Sequence, residues 1–539
     1  MKKMYRSAWI AGTSVVLLSM LAAGCGTKTE TTVNKPAASG TAAPEKRGNI
    51  TVAVYDNGKV PADQGTMEKN WLTEWLNKNG PVDVKFVPIP RTKDTEKYNL
   101  LFASGDAPDL IWSYDSALKA QLISQKQVMP LEDLIDKSST TYKKLLGQFP
   151  SLKKLSTSPD GHIYQIGKVN AETVTPNFIL TIRQDWLKKL NLPIPQTTED
   201  LYNTAVAFAT KDPDGNGKAD TYGMNLSFVG GLEVDQIFGN IPPIIENGKA
   251  INPWDRLQAA TDFKKKLFDA GAVDKEFLLD KDGAKAKQAF TNGKLGIYGY
   301  YVDRNPYDAL LKNDANADVV AIAYPKGPYG QFSGALNPSA QVVGLVNAKA
   351  KDPKAVMKFI DFLSEPATMK MMKYGEEGTD YKLDNGCPVL VDKDNPKFKF
   401  TDTFNILNSL KALEPKCGSP LLGLKPDTNP SDKMWATILQ KADEYYTKPE
   451  RPWPGMTWAE FMPSMPSDLQ TINSTVSSQI TDIVNKAIVS GTSYSTEQAI
   501  KDAKERWEKS GGKDIDAWYD KWYGENKDKA FLTKDLYLK

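Results

Sequence analysis

The sequence predicts an α/β fold built as more than one lobe. Strand-like apolar runs alternate with amphipathic helical runs along the chain. The first of these follow one another as β-α-β-α-β, the order that gives a parallel sheet with helices on its faces. After a low-complexity N-terminal segment, roughly 490 residues remain, more than one core ordinarily serves.

In chain order, Asn49 to Tyr55 reads as a strand, with Ile50, Val52 and Val54 alternating. Thr66 to Asn79 carries Met67, Trp71, Leu72, Trp75 and Leu76 at helical spacing. Val82 to Val87 alternates as a second strand, Glu96 to Ser104 is a helix closed by Gly105, and Asp109 to Trp112 is a short buried strand. Ile179 to Ile182 feeds a helix at Asp185 to Leu190, and Thr198 to Ala209 is a further helix with Thr198 as its expected N-cap. Leu295 to Tyr301 is a strand after the turn Thr291-Asn292-Gly293, and Gln341 to Val346 is another. Pro353 to Leu363 starts with Pro, where a missing N–H removes no helical hydrogen bond. From about Ser467 the chain is helical, and Trp507, Trp518 and Trp522 are expected to pin those helices.

The first residues carry a different signal. Lys2, Lys3 and Arg6 precede an apolar or small-residue run from Ala8 to Leu21, shorter than the roughly 20 residues of a membrane-spanning helix. Leu21-Ala22-Ala23-Gly24-Cys25 follows and resembles the lipobox of bacterial lipoproteins, although Ala22 stands where Leu is usual. That likeness implies cleavage before Cys25 and lipid on its sulfur; two or more acyl chains anchor firmly. Gly26 to Arg47 is rich in Thr, Ala, Lys and Pro and reads as a tether. Removing Lys2, Lys3 and Arg6 takes the formal charge from +2 to about −1, without the basic excess of a nucleic-acid surface. Cys387 and Cys417 are the other two cysteines, either a disulfide outside the cytoplasm or two buried thiols.

Four segments together resemble bacterial extracellular solute-binding proteins of the sugar-importer type (family 1), and within them the large lipoproteins similar to alginate- and oligosaccharide-binding proteins. They are Leu101-Phe102-Ala103-Ser104-Gly105-Asp106-Ala107-Pro108-Asp109-Leu110; Ile182 to Leu190 with Thr197 to Leu201 and the loop from Asp212 to Tyr222; Phe290-Thr291-Asn292-Gly293-Lys294-Leu295-Gly296-Ile297; and Lys354 to Gly378. The resemblance implies a periplasmic-binding-protein-like fold: two α/β lobes joined by a hinge, a ligand cleft between them, and extra C-terminal helices. The implied organisation is signal peptide 1–24, tether 25–48, first part of lobe 1 49–155, lobe 2 156–335, and 336–539 returning to lobe 1 with helices crossing between lobes. The implied role is a lipid-anchored monomer on the extracellular face of the cell membrane that closes on a carbohydrate and delivers it to the permease of an ABC importer. A peptide or other non-sugar solute, or a secreted carbohydrate-active enzyme, are the alternatives.

In such folds the cleft lies at the carboxyl ends of strands. That places Asp56 and Asn57 after the first strand, Trp112 and Tyr114 at the end of the third, and Tyr300, Tyr301 and Asp303 after Leu295–Tyr298. Arg183 ends the Ile179–Ile182 strand, where family members aim an Arg into the cleft. Sugars are held by aromatic faces and planar polar groups, and each of these aromatics has core packing as its alternative.

Asp212-Pro213-Asp214-Gly215-Asn216-Gly217-Lys218-Ala219-Asp220 repeats oxygen side chains at alternate positions, with Gly217 at the turn and the Lys218 carbonyl available. It matches the first nine positions of an EF-hand-like loop for a structural Ca2+ ion. Gly223 replaces the bidentate Glu, and Thr221 stands where alginate-binding relatives carry an acidic residue. A solvated turn is the alternative. Enzyme chemistry has little to draw on: His162 is the only histidine, and neither a Cys cluster nor a phosphate-binding Gly-x-x-x-x-Gly-Lys-Ser/Thr loop is present.

Overall fold

A computed structural model describes residues 47–539 except 59, 172, 393–394, 405–406, 408–413, 459–460, 464 and 539. The lipidation expected at Cys25 and the tether up to residue 46 lie outside the described residues.

Lobe 1 begins with β1 (Gly48–Asp56), α1 (Trp71–Asn79), β2 (Val82–Pro90), α2 (Asp94–Ser104), β3 (Leu110–Trp112) and α3 (Ser116–Ser124). Helix α1 starts five residues later than the apolar spacing predicts, because Asn70 and Thr73 form a reciprocal capping box that fixes the first turn. Three short helices follow, α4 (Glu132–Ser138), α5 (Thr141–Gln148) and α6 (Pro150–Ser156), then β4 (Gln165–Val169).

The chain crosses to lobe 2 through β5 (Thr175–Pro176). There it forms β6 (Phe178–Arg183), α7 (Gln184–Leu190), α8 (Thr198–Thr210), β7 (Tyr222–Met224), α9 (Val229–Ile237), the hairpin β8 (Ile244–Glu246) and β9 (Lys249–Ile251), α10 (Trp254–Asp269), α11 (Ala284–Thr291), β10 (Leu295–Tyr301), α12 (Asn305–Asn313) and β11 (Val319–Ala321). Thr197 rather than Thr198 caps α8: its side chain accepts from Asp200 N–H, and the Asp200 carboxylate accepts from Thr197 N–H at 3.0 Å.

The return passes through β12 (Leu336–Asn337) into β13 (Ala340–Val346), α13 (Pro353–Leu363), α14 (Pro366–Tyr374), the hairpin β14 (Tyr381–Asp384) and β15 (Cys387–Leu390), and α15 (Pro415–Gly418). Cys387 and Cys417 are disulfide-bonded, with 5.3 Å between their Cα atoms. Four helices complete the chain: α16 (Pro430–Tyr446), α17 (Ser467–Val489), α18 (Thr496–Lys509) and α19 (Gly512–Asn526).

Lobe 1 holds a sheet of order β2-β1-β3-β13-β4, parallel at β2-β1-β3 and antiparallel where β13 joins β3 and β4. Lobe 2 holds β11-β6-β10-β7. The crossing strands β5 and β12 pair antiparallel with each other. The segment 336–539 therefore divides its allegiance. β13 completes the lobe 1 sheet, whereas α16 packs on β11, and α17 to α19 pack on α10 and β9 of lobe 2. Tyr446 fastens α16 there, its hydroxyl accepting from Leu180 N–H at 3.1 Å and donating to the Ile322 carbonyl at 2.8 Å. The last residues reach back to lobe 1 through the Lys154–Asp535 ion pair.

Candidate functional site

The ends of both sheets that adjoin the crossing strands carry aromatic side chains. In lobe 1, Trp112 pairs with Gly344 and Val169 with Ala340, so β3 points its carboxyl end toward the start of β13, which follows β12 and lies beside the end of β4. Tyr114 emerges here and stacks on Tyr55 from the end of β1, with ring centroids 5.8 Å apart and planes 10° apart. The Arg91 guanidinium lies 5.0 Å from the Tyr114 centroid and 5.5 Å from that of Tyr55, and Lys168 of β4 lies 5.6 Å from Tyr114.

Hydrogen bonds fix this wall. The Tyr55 hydroxyl donates to Asp94 at 2.8 Å and accepts from Tyr114 N–H at 3.1 Å; Ser113 Oγ donates to the same Asp94 oxygen at 3.1 Å. Burial raises the Tyr55 phenol well above its ordinary value, so it stays a donor. Asp56 and Asn57 are exposed beside it.

In lobe 2, Tyr301 pairs with Phe178 across β10 and β6 at the edge nearest β5. Phe178, Phe228, Tyr300 and Tyr301 form one cluster, with centroid distances of 4.8 Å (Phe178–Tyr301), 5.9 Å (Phe228–Tyr301) and 5.5 Å (Tyr300–Tyr301). Tyr301 and Phe228 remain 39% and 36% exposed. Lys287 lies over the Tyr300 ring at 5.9 Å and 4.0 Å from the Asp303 carboxylate.

Phe228 precedes α9 with φ 51° and ψ −122°, a backbone conformation rarely adopted by a residue with a side chain. Ser227 is tied down beside it, donating to Asp280 at 2.8 Å. Asp280 also accepts from Lys285 N–H and Ala286 N–H, each at 3.0 Å. Burial pushes the Asp280 carboxyl up, but these three donors outweigh it and hold it below the usual carboxylate range.

Two expected ligand residues are placed elsewhere. Trp112 is 3% exposed, because β3 runs between β1 and β13 and its last residue is still sheet core. A Cβ on the facing Gly344 would come within 2.3 Å of the indole, so the glycine makes room for it. Arg183 is 2% exposed and donates to Asp185 at 2.6 and 2.9 Å and to Asp314 at 2.7 Å, stacked on Trp186. It clamps the end of β6 to α7 and the turn after α12 rather than reaching a cleft.

Between lobe 1 and the C-terminal helices runs a groove of about 860 Å³. Its lobe 1 side starts two residues after Tyr114, along α3, with Gln165 and Lys154. The other side carries Phe461, Met462, Trp518 and Trp522. Sequence periodicity assigned Trp518 and Trp522 to helix pinning. Of the three tryptophans, Trp507 fits that best: it is buried against Gly512 and lies edge-on to Trp254.

The Asp212–Asp220 loop is far simpler. Asp212 accepts from Gly215, Asn216 and Gly217 N–H at 3.0 to 3.1 Å. Asn216 donates to Asp214 at 2.7 Å and Asp220 at 3.1 Å, and Lys294 pairs with Asp220. Burial and then the adjacent Asp212 carboxyl raise Asp214, while Asp214 and the backbone donors lower Asp212. Among the described residues no group of three His, Cys, Asp or Glu side chains is placed to hold a metal ion.

The chain matches the family model described as bacterial extracellular solute-binding protein over residues 58–370. It is 30% identical over 382 residues to the fructooligosaccharide ABC transporter substrate-binding protein FusA of Streptococcus pneumoniae, covering 65% of this chain and 68% of that one. It is 28% identical over 416 residues to lipoprotein LipO of Bacillus subtilis, covering 73% and 77%. Solved structures share the fold. An EF-hand mutant of the S. pneumoniae FusA in complex with fructo-nystose aligns with TM-score 0.60 at 24% identity, over 89% of this chain and 99% of that one. The alginate-binding protein AlgQ2 without calcium ion aligns with TM-score 0.59 at 20% identity, over 89% and 99%.

Proposed function

The chain belongs to the bacterial extracellular solute-binding proteins, a non-enzymatic component of ABC transport, and from that premise we propose that its solute is a carbohydrate, an oligosaccharide in preference to a single sugar. One observation supports this most: aromatics stand at the crossing-strand ends of both sheets, Tyr114 backed by the buried Tyr55 in one lobe and Phe228, Tyr300 and Tyr301 in the other. Aromatic faces take the apolar side of a sugar ring, and polar groups beside them, Asp56, Asn57, Arg91 and Asp303, suit its hydroxyls. The groove continuing past Tyr114 to Trp518 and Trp522 suits further rings. Closure of the lobes about β5 and β12 brings the two walls onto the ligand, and the closed form is what the permease receives. Lipid on Cys25 holds the protein at the extracellular face of the membrane, as the small residues Ala22, Ala23 and Gly24 before it suggest.

The loop Asp212–Asp220 is proposed as a structural Ca2+ site. Asp212, Asp214, Asn216, the Lys218 carbonyl and Asp220 supply oxygen donors at the alternating positions such a loop uses. Binding requires Lys294 to release Asp220. Ca2+ added after EDTA should raise the thermal midpoint, and Asp212→Asn should remove that rise; equal midpoints with and without Ca2+ discard the site.

A thermal-shift panel of mono- and oligosaccharides and peptides tests the solute class. A ligand at a hundred times its Kd adds about 2.7 kcal/mol of stability. Oligosaccharides are expected to raise the midpoint; a rise with peptides alone rejects the carbohydrate reading.

A further inference from the structure

A second cavity lies apart from the groove between lobe 1 and the C-terminal helices. It measures about 260 Å³ and sits between lobe 2, at Asn252 and Trp254, and the helices α17 to α19. A small apolar cluster walls it off. Ala250, Met456 and Leu532 form its centre, giving Ala250 and the attached Tyr519 to this cavity and Met462 and Trp522 to the groove.

Its lining is chemically mixed. Trp254 and Trp507 meet edge to face at 6.0 Å, and Tyr519 adds a third ring. Among the described residues, the Asn252 amide, the Tyr519 hydroxyl and the Trp254 N–H make no hydrogen bond to protein. Asp516 has a single partner, the Trp507 indole N–H at 2.8 Å, which leaves its second oxygen free. Asn473 and Thr481 line the same space. These polar atoms are open to solvent within the cavity, so a hydroxylated ligand can take over hydrogen bonds otherwise made to water. Burial raises both the Asp516 carboxyl and the Tyr519 phenol, so a neutral ligand suits them better than an ion.

We propose that this cavity is a second binding site, for one neutral polyhydroxylated ring of monosaccharide size, with Trp254 and Tyr519 against its face and Asn252 and Asp516 on its hydroxyls. Its volume falls just under the roughly 300 Å³ at which drug-sized pockets begin, which admits one ring and excludes a chain.

The experiment is calorimetric and fluorescence titration of glucose, galactose, mannose and fructose, with choline as a cationic probe, into the Tyr301→Ala protein, whose lobe 2 aromatic wall is impaired. Saturable binding of at least one hexose is expected, weakened about tenfold by Asn252→Ala and by Asp516→Asn. Thermal unfolding in the absence of sugar checks that each variant folds, and Asn252→Ala and Asp516→Asn made in the otherwise unchanged protein should bind oligosaccharide as the parent does. The proposal is overturned by no saturable hexose binding, by hexose binding that folded Asn252→Ala and Asp516→Asn proteins leave unchanged, or by choline binding without hexose binding.

Discussion

The aromatic clusters at the crossing-strand ends of the two sheets, the proposed walls of the ligand site, present the same chemistry and are built in different ways. On lobe 1, Tyr55 and Tyr114 lie parallel, covered by Arg91 and Lys168, and are held by hydrogen bonds converging on Asp94. On lobe 2, Phe228, Tyr300 and Tyr301 meet at steep angles, and Phe228, one of the two exposed members, sits on unfavourable backbone. One wall is rigid through satisfied polar bonds; the other presents its rings at the expense of local strain. Strain held at an exposed aromatic is what a site pre-shaped for a ligand looks like.

The difference can be broken from either side. Asp94→Ala strips the acceptor from both the Tyr55 hydroxyl and Ser113. Unfolding by urea should show a loss of about 3 kcal/mol, the upper value for hydrogen bonds to a charged group. A loss under ~0.5 kcal/mol would mean that the lobe 1 wall is not held as described. Tyr301→Ala should leave stability close to the parent yet weaken the oligosaccharide by about 2 kcal/mol, roughly 30-fold in Kd; calorimetry reads both affinity and stoichiometry. Phe228→Gly separates strain from contact. Glycine accepts positive φ, so the unfolding midpoint should rise by the equivalent of about 1 kcal/mol while ligand affinity falls. A fall in both would place Phe228 in the structural core instead.

The smallest effect concerns pH. The folded carboxyl of Asp280 lies below its unfolded value, so its stabilisation is fully present above about pH 4, the unfolded range. It is lost as the pH falls through the depressed folded value. The Ser227 anchor next to Phe228 loosens with it. Acid titration of stability should therefore be shallower in Asp280→Asn than in the parent, and parallel curves would count against the anchor.

Much of this was legible in the residues. The apolar runs locate β1, β6, β10 and β13 to within a residue, and β2 with an end three residues early, where Pro88 and Pro90 break the strand pattern. Tyr114 follows β3, and Tyr300 and Tyr301 close β10, as the apolar runs predict. The burial of Trp112 is not legible, because a three-residue strand gives no period; only the sheet order shows that it lies between two neighbours. Arg183 had a visible partner two residues on, Asp185, and that local pairing prevailed over the cleft. Phe228 escaped altogether. Its importance rests on a positive φ that sequence does not display, although Phe followed by Val-Gly-Gly at a helix start was an available hint. Trp518 and Trp522 were read as pins because a helical stripe of aromatics looks alike whether it faces a core or a groove.

The most direct measurement is isothermal titration of a graded oligosaccharide series into the parent, Tyr114→Ala and Tyr301→Ala proteins. Saturable binding at one cleft site is expected, strengthening from monosaccharide to oligosaccharide and weakened by a change in either wall. Saccharide binding that both variants leave intact, or a protein that binds peptides and no saccharide, would contradict a carbohydrate held between these two aromatic walls.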